Sequence, residues 1–85
     1  MASYRIEIKR SAAKEIRDLP GADCRRIVAK VQTLSDEPRP HGCEKLGGAE
    51  KYRVRQGSWR ILYEIDDESR VVTVVKVGHR RDVYR

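Results

Sequence analysis

The sequence contains no long apolar run and few cysteines. No stretch approaches the roughly 20 apolar residues that span a bilayer, and the first residues lack the pattern of a secretory signal. Its 2 cysteines, Cys24 and Cys43, have neither C-x-x-C spacing nor the larger even number of a disulfide framework. Cys43 and His41 alone are too few ligands for a structural zinc ion. We therefore expect a cytoplasmic protein without a membrane span, a metal or a cofactor.

Acidic residues are also in the minority. The chain has 13 Asp and Glu against 19 Lys and Arg, a net charge of +6. This excess favours a polyanionic partner, such as nucleic acid, an anionic membrane surface or an acidic protein. Most of the cations are arginines, whose planar guanidinium matches phosphate oxygens, and this favours RNA or DNA. A basic surface that only keeps the protein soluble remains the alternative.

The short length limits what kind of site the protein can build. We assign residues 1–85 to a single domain with one core. A chain of this size buries only about 60% of its unfolded surface, which is too little to line a deep cleft. Any chemistry is therefore expected on an open face, which a macromolecular partner would close.

The first half of the chain predicts one strand and two helices. Residues 4–9 alternate between apolar and polar types, as in a half-buried strand. The inward-facing residues of this strand are predicted to be Tyr4, Ile6 and Ile8. Ser11 is a plausible N-cap for a helix through Leu19, which Pro20-Gly21 ends. A second helix is predicted from Asp23 to Ser35, followed by a loop to about Gly48.

The second half predicts three strands, over residues 51–55, 59–65 and 71–77, the last expected to be a central strand covered on both faces. Turn signals separate them at Gln56-Gly57-Ser58 and at residues 66–69. The order β-α-α-β-β-β indicates an α+β fold, with a small, mostly antiparallel sheet and two helices packed on one of its faces.

The register of the middle hairpin follows if Gly57-Ser58 forms a two-residue loop. This loop pairs Arg55 with Arg60, Val54 with Ile61, Arg53 with Leu62, and Tyr52 with Tyr63. The apolar members then face the helices, and Arg53, Arg55 and Arg60 share the opposite face. A shift of one residue would move arginines into the core, so the pattern resists it.

We call Arg53, Arg55 and Arg60 the arginine face. Like charges directly opposite destabilise a sheet by about 0.2–1 kcal/mol per pair, so folding alone gives little reason to pair Arg55 with Arg60. Guanidinium groups on one open face can bind phosphate and stabilise charge that develops on phosphorus. A solvated face balanced by carboxylates such as Glu7 or Glu64 is the alternative.

Several segments resemble the RelE/ParE toxin superfamily, and in particular its RelE branch. They are residues 44–48, 52–55, 59–65 and 77–84, of which the "RILYEID" strand and the "GHRRDVY" ending are the most specific. The resemblance spans the whole chain, including the order of the elements. It implies the small α+β fold called RelE-like or microbial ribonuclease-like.

The resemblance also implies a function. RelE toxins are the toxin half of type II toxin–antitoxin pairs, and they cut the mRNA codon in the ribosomal A site without a metal ion. A ribose 2′-hydroxyl is thought to attack the adjacent phosphate. The implied partners are a cognate RelB-like antitoxin, the ribosome and mRNA, with no membrane and no small-molecule cofactor.

The family's functional residues carry over by position. Arg60 matches the arginine that contacts the phosphate, Arg80 the arginine assigned to the leaving group, and Tyr84 the tyrosine that orients the substrate and stacks near the base. Arg53 and Arg55, which we also count as catalytic candidates, stand where well-studied members carry lysines. Further residues expected to bind RNA are Lys51, His79 and Arg81.

These arginines leave the general base open, because a guanidinium stays protonated where a lysine can lose its proton. The base is then His79, since imidazole titrates near neutral pH, or water, or an rRNA group. Alternatively, the protein is a weak nuclease that depends on charge stabilisation and orientation. His79 can equally be an exposed histidine at the end of a strand.

Two functions compete with the endoribonuclease. A ParE-like toxin would act by binding DNA gyrase, and a non-catalytic module would only bind RNA through the same basic face. The combination of the arginine face with Arg80 and Tyr84 argues against the ParE-like reading.

Overall fold

The fold is a five-stranded mixed sheet with two helices on one face. The computed structural model describes residues 3–48 and 50–79. Its elements are β1 (Arg5–Ile8), α1 (Arg10–Arg17), α2 (Gly21–Thr33), β2 (Glu44–Lys45), β3 (Lys51–Gln56), β4 (Trp59–Asp66) and β5 (Val71–His79). The strand order is β1-β5-β4-β3-β2, with β1 parallel to β5 and the other pairs antiparallel. The predicted α+β fold with a mostly antiparallel sheet is confirmed. Neither described helix is long and apolar enough to cross a membrane.

A single core lies between the helices and the sheet. Its buried members are Ala12, Ile16, Ile27, Val31 and Leu34 from the helical layer, and Tyr52, Val54, Ile61, Tyr63, Ile65, Val72, Val74 and Val77 from the sheet. These sheet residues recur at every second position of β3 and β4, because successive side chains of a strand point to opposite faces. Neither of the described helices covers the other face of the sheet, and we call it the open face.

The register predicted for the β3–β4 hairpin is confirmed. Arg55 lies opposite Arg60, and the three pairs that follow are those expected from the alternation. Gly57 has a φ of 61°, the left-handed value that the first position of a type II′ turn requires and that glycine adopts without strain. The turn therefore locks the register, and the buried residues of both strands reinforce it.

β5 contains a bulge that keeps the two faces distinct. Leu62 pairs with Lys76 and Tyr63 with Val74, so Val75 is an extra residue in the ladder. Without the bulge, Lys76 would follow Val74 onto the core face. With it, Val77 is only 2% exposed and Lys76 stays outside the core.

Both helices begin earlier than predicted. α1 begins at Arg10, after Lys9, so Ser11 lies inside the helix and is not its N-cap. β1 ends at Ile8 and the chain turns immediately, which leaves no extended residue at position 11 for a cap. α2 spans Gly21–Thr33, and Pro20 precedes it with a φ of −53°, the restricted value that suits the start of a helix.

Two strand predictions also need correction. The segment predicted as a loop before Gly48 contains β2, which pairs with β3 and adds a fifth strand. Ile8 was predicted to face inward, but it is 42% exposed. β1 is an edge strand and Ile8 its last residue, so the packing that covers Ile8 is incomplete.

A polar network ties the chain together at the end of the sheet far from the Gly57–Ser58 loop. Arg39 donates hydrogen bonds to both carboxylate oxygens of Asp67, at 3.2 and 2.8 Å, and to the hydroxyl of Tyr52 at 3.0 Å. Tyr4 donates its hydroxyl to Asp67 at 2.6 Å, and Tyr52 donates to Glu50 at 2.7 Å. The hydrogen bonds from Arg39 and Tyr4 lower the pKa of Asp67 from 3.8 to about 2.

Asp67→Asn should lower the melting temperature at neutral pH, because the network loses the charge that holds Arg39. A carboxylate with a lowered folded-state pKa stabilises the protein above its unfolded-state pKa of 3.8, and this stabilisation is lost as the pH falls toward about 2. The wild-type advantage should therefore be constant above about pH 5 and shrink below about pH 4. Circular-dichroism melts across this range measure it. Asp18→Asn is the matched control, because the carboxylate of Asp18 forms an exposed ion pair with Lys14. An advantage that does not change with pH would contradict the assignment.

Arg55→Gln should leave the melting temperature unchanged or raise it, because Arg55 faces Arg60 and the substitution removes a repulsion of about 0.2–1 kcal/mol. The comparison variant on the same strand is Arg53→Gln. It should lower the melting temperature, because Arg53 is paired with Glu44 and its side chain is only 21% exposed. Equal losses in the two variants would show that Arg55 is a structural residue.

Candidate nucleic-acid interface

Cross-strand neighbours on the open face form rows that differ in charge. The row nearest the Gly57–Ser58 loop contains Arg55, Arg60 and Gly78. The second contains Glu44, Arg53, Leu62 and Lys76, and the third Lys51, Glu64, Thr73 and Glu7. The first row contains two arginines, whereas acids outnumber cations in the third. Charge is therefore distributed unevenly along the open face, and the positive end of this face lies at the Gly57–Ser58 loop.

Arg55 and Arg60 form the centre of this positive end. Arg55 is exposed and Arg60 is half-buried. On its other side Arg60 faces Gly78, which has no side chain. Two guanidiniums side by side form an arrangement that can hold phosphate oxygens, because guanidinium donors match their geometry. This row is the candidate phosphate-binding site.

Arg53 lies on the same face, but a carboxylate partner holds it. Its guanidinium makes an ion pair and a hydrogen bond with Glu44 of β2. The two residues are direct neighbours across the β2–β3 ladder. The sequence alone did not identify Glu44 as the partner of Arg53, since a two-residue strand gives no periodic pattern. The partner leaves less of the charge of Arg53 available to a ligand than that of Arg55.

His79 lies toward the helix side of the sheet. It pairs with Trp59, and their rings meet edge to face with centroids 5.6 Å apart and an interplanar angle of 86°. Trp59 packs against the core, and Ile61, two residues later on the same strand, is fully buried. By the alternation of β4, this places His79 across the sheet from Arg55 and Arg60. Its expected role in RNA contact or proton transfer stays a prediction.

Lys51 sits at the other end of the open face. Its ammonium lies 3.9 Å from the carboxylate of Glu64, its cross-strand neighbour. Both line an open depression of about 490 Å³, together with Glu7 and Arg5. Because carboxylates surround this depression, it suits a phosphate less well than the row of Arg55 and Arg60.

The remaining predicted residues, Arg80, Arg81 and Tyr84, lie outside the described residues. The strand that precedes them, β5, ends at His79. This residue lies opposite Trp59, which is the first residue of β4 after the Gly57–Ser58 loop. In residues 3–48 and 50–79, no group of three or more His, Cys, Asp or Glu side chains is arranged to hold a metal ion.

Comparisons with known proteins identify the family of this chain. Residues 6–84 match the family model described as ParE toxin of type II toxin-antitoxin system, parDE. Toxin RelG of Mycobacterium tuberculosis is 34% identical over 90 residues, which cover 96% of this chain and 97% of that protein.

Solved structures of similar proteins share the fold. The archaeal RelE–RelB complex from Pyrococcus horikoshii OT3 matches with a TM-score of 0.85 and 29% identity, over 95% of this chain and 99% of that one. The toxin–antitoxin complex RelBE2 from Mycobacterium tuberculosis matches with a TM-score of 0.81 and 30% identity, over 92% and 99% of the two chains. The chain therefore belongs to the RelE family of the RelE/ParE superfamily, whose members are the toxins of type II toxin–antitoxin systems.

Proposed function

We propose that this toxin is a ribosome-dependent endoribonuclease that cuts mRNA in the ribosomal A site. The observation that carries the proposal is the row of Arg55, Arg60 and Gly78, which places two guanidiniums side by side at the positive end of an open face. A site selected for folding would avoid this pair of like charges, whereas a site for the RNA backbone uses it.

The chemistry follows from what guanidiniums can do. Arg60 and Arg55 hold the scissile phosphate and stabilise the negative charge that builds up as the neighbouring 2′-hydroxyl attacks. Arg80 serves the leaving oxygen, and Tyr84 stacks on a base. An arginine does not accept a proton at neutral pH, so Arg53 and Arg55 act through charge and position, and the proton is taken by another group.

The ribosome supplies what an 85-residue chain lacks. Arg55 lies exposed on an open sheet face, and neither described helix covers this face. In-line attack requires the 2′-oxygen, phosphorus and leaving oxygen to be aligned, and alignment carries much of the rate of such reactions. A codon held in the decoding site arrives already constrained, so the toxin adds charge to an aligned substrate. Free RNA is therefore cut poorly.

A RelB-like antitoxin is the proposed partner that silences the toxin. Two similar proteins were solved in complexes named with RelB or RelBE. In this chain, Ile8 and Val28 are 42% and 40% exposed, and they offer apolar surface to such a partner. Acidic residues of the antitoxin would approach the arginine face, since opposite charges guide and orient association.

A second candidate function is inhibition of DNA gyrase. It is favoured by one observation, the match of residues 6–84 to a family model described by ParE toxins. The two functions differ in their products, because the first leaves cut mRNA on ribosomes and the second leaves double-strand breaks in DNA.

Purified toxin mixed with programmed ribosomes should produce discrete cuts in the A-site codon, detected by primer extension. In single-turnover assays, Arg60→Ala should lower the cleavage rate by ~100- to 1000-fold, because a charged donor aimed at the transition state is lost. Ribosome affinity should change little, since the interaction strengthens only in the transition state. Arg5→Ala is the matched control. Arg5 lies on the same face at the far end, paired with Glu7.

Two outcomes would contradict this proposal. Unchanged cleavage by Arg60→Ala would remove the catalytic role of the row. Gyrase-dependent DNA breaks without cut mRNA would replace the proposal with the second candidate.

The antitoxin, co-expressed from the adjacent gene, should co-purify with the toxin and abolish cleavage. Because its acidic groups are proposed to approach the arginine face, raising the salt from about 0.1 to about 1 M should weaken the complex. Isothermal titration at both salt concentrations measures this. A toxin that is expressed without a partner and does not slow growth would count against the pairing.

A further inference from the structure

The last part of β5 extends beyond its neighbour β1. The parallel ladder ends with Ile8 opposite Val74, and the N–H of Lys9 then donates to the carbonyl of Val74 at 2.9 Å. From Lys9 the chain turns away into α1. Residues 75–79 of β5 therefore run along an edge where β1 no longer supplies hydrogen-bond partners.

A side chain from α1 takes over at this edge. Oε1 of Glu15 accepts a hydrogen bond from the backbone N–H of Val77 at 2.9 Å, across 62 positions of sequence. Oε2 of the same carboxylate lies 3.4 Å from the ammonium of Lys76. A hydrogen bond to a charged acceptor is roughly twice as strong as one between neutral groups. The carboxylate of Glu15 thus takes the place of a neighbouring strand as the hydrogen-bond acceptor for Val77.

The bulge at Val75 explains why Val77 is the residue that meets Glu15. In a regular strand, backbone N–H groups of alternate residues face the same edge, so position 76 would follow Val74. The extra residue moves this orientation to Val77. The same shift places Gly78 opposite Arg60 on the open face. The contact of Glu15 with Val77 and the pairing of Gly78 with Arg60 therefore both depend on the bulge at Val75.

We propose that Glu15 is a positioning residue for RNA cleavage, an inference that rests on the proposed function. By holding Val77, it fixes Gly78 against Arg60 and sets the position of the last residues of β5. It touches neither RNA nor the reacting atoms. Catalytic groups act within narrow limits, and a displacement of about 1 Å reduces a rate by on the order of 100-fold.

The variants separate positioning from simple stability. Glu15→Ala removes the acceptor, and alanine favours the helix more than glutamate does, so α1 itself is not weakened. Glu15→Asp keeps the charge but is one methylene shorter, and it should lose its reach to Val77. Glu15→Gln keeps an oxygen at the same distance. Asp18→Ala is the control from the same region, because Asp18 follows α1 and its carboxylate forms an exposed ion pair with Lys14.

Two measurements on the full chain test the proposal. In single-turnover cleavage on programmed ribosomes, Glu15→Ala and Glu15→Asp should be slowed about 10- to 100-fold with ribosome affinity within about twofold of wild type. Glu15→Gln should recover most of the rate, and Asp18→Ala should match wild type. In amide hydrogen exchange by NMR, Val77 should lose protection in the Ala and Asp variants and keep it in Gln.

The possible outcomes distinguish the two proposals. Wild-type protein that cuts no ribosome-bound mRNA would overturn the proposed function, whatever the exchange data show. Wild-type cleavage together with full activity in Glu15→Ala would overturn the role of Glu15 alone. So would a parallel loss of rate and ribosome affinity, or a failure of Glu15→Gln to recover the rate, since these indicate a general loss of structure.

Discussion

Burial of the apolar residues of the β3–β4 hairpin against the helices is the constraint on which the rest of this structure depends. Tyr52, Val54, Ile61 and Tyr63 are each at most 6% exposed, and they occupy alternate positions of the two strands. Alternation then sends Arg53, Arg55 and Arg60 to the other face. A shift by one residue would bury guanidiniums, which costs several kcal/mol each without partners. The arginine face is therefore held in place by the core behind it.

Burial of apolar residues also determines the arrangement of the neighbouring strand, β5, which contains a bulge. β5 carries one residue too many for a regular ladder with β4, and the bulge at Val75 absorbs it. The core face keeps Val74 and Val77, and the open face receives Gly78 beside Arg60. Bulges often occur next to functional sites because they redirect the chain locally. Here the redirected part of β5 leads toward Arg80.

Structural features could be predicted from the sequence where neighbouring residues in the chain determine them. The hairpin register could be predicted because a two-residue loop and two alternating strands agree on one pairing. The strand β2 could not, because two residues are too few for a periodic pattern and are held by pairing with β3 and by the ion pair of Glu44 with Arg53. The side on which His79 lies could not be predicted either, since it depends on the bulge at Val75. The contact of Glu15 with Val77 spans 62 positions and left no pattern in the sequence.

The pairing of Arg55 with Arg60 is expected to oppose folding and to serve RNA cleavage. The substitution Arg55→Glu tests both halves in one protein, because it turns a repulsive cross-strand pair into an attractive one while removing a cation from the site. Melting temperature and single-turnover cleavage on programmed ribosomes should be measured together. For Arg55→Glu, we expect a melting temperature above that of wild type and a cleavage rate lower by about 100-fold or more. A lower melting temperature, or cleavage at the wild-type rate, would contradict it.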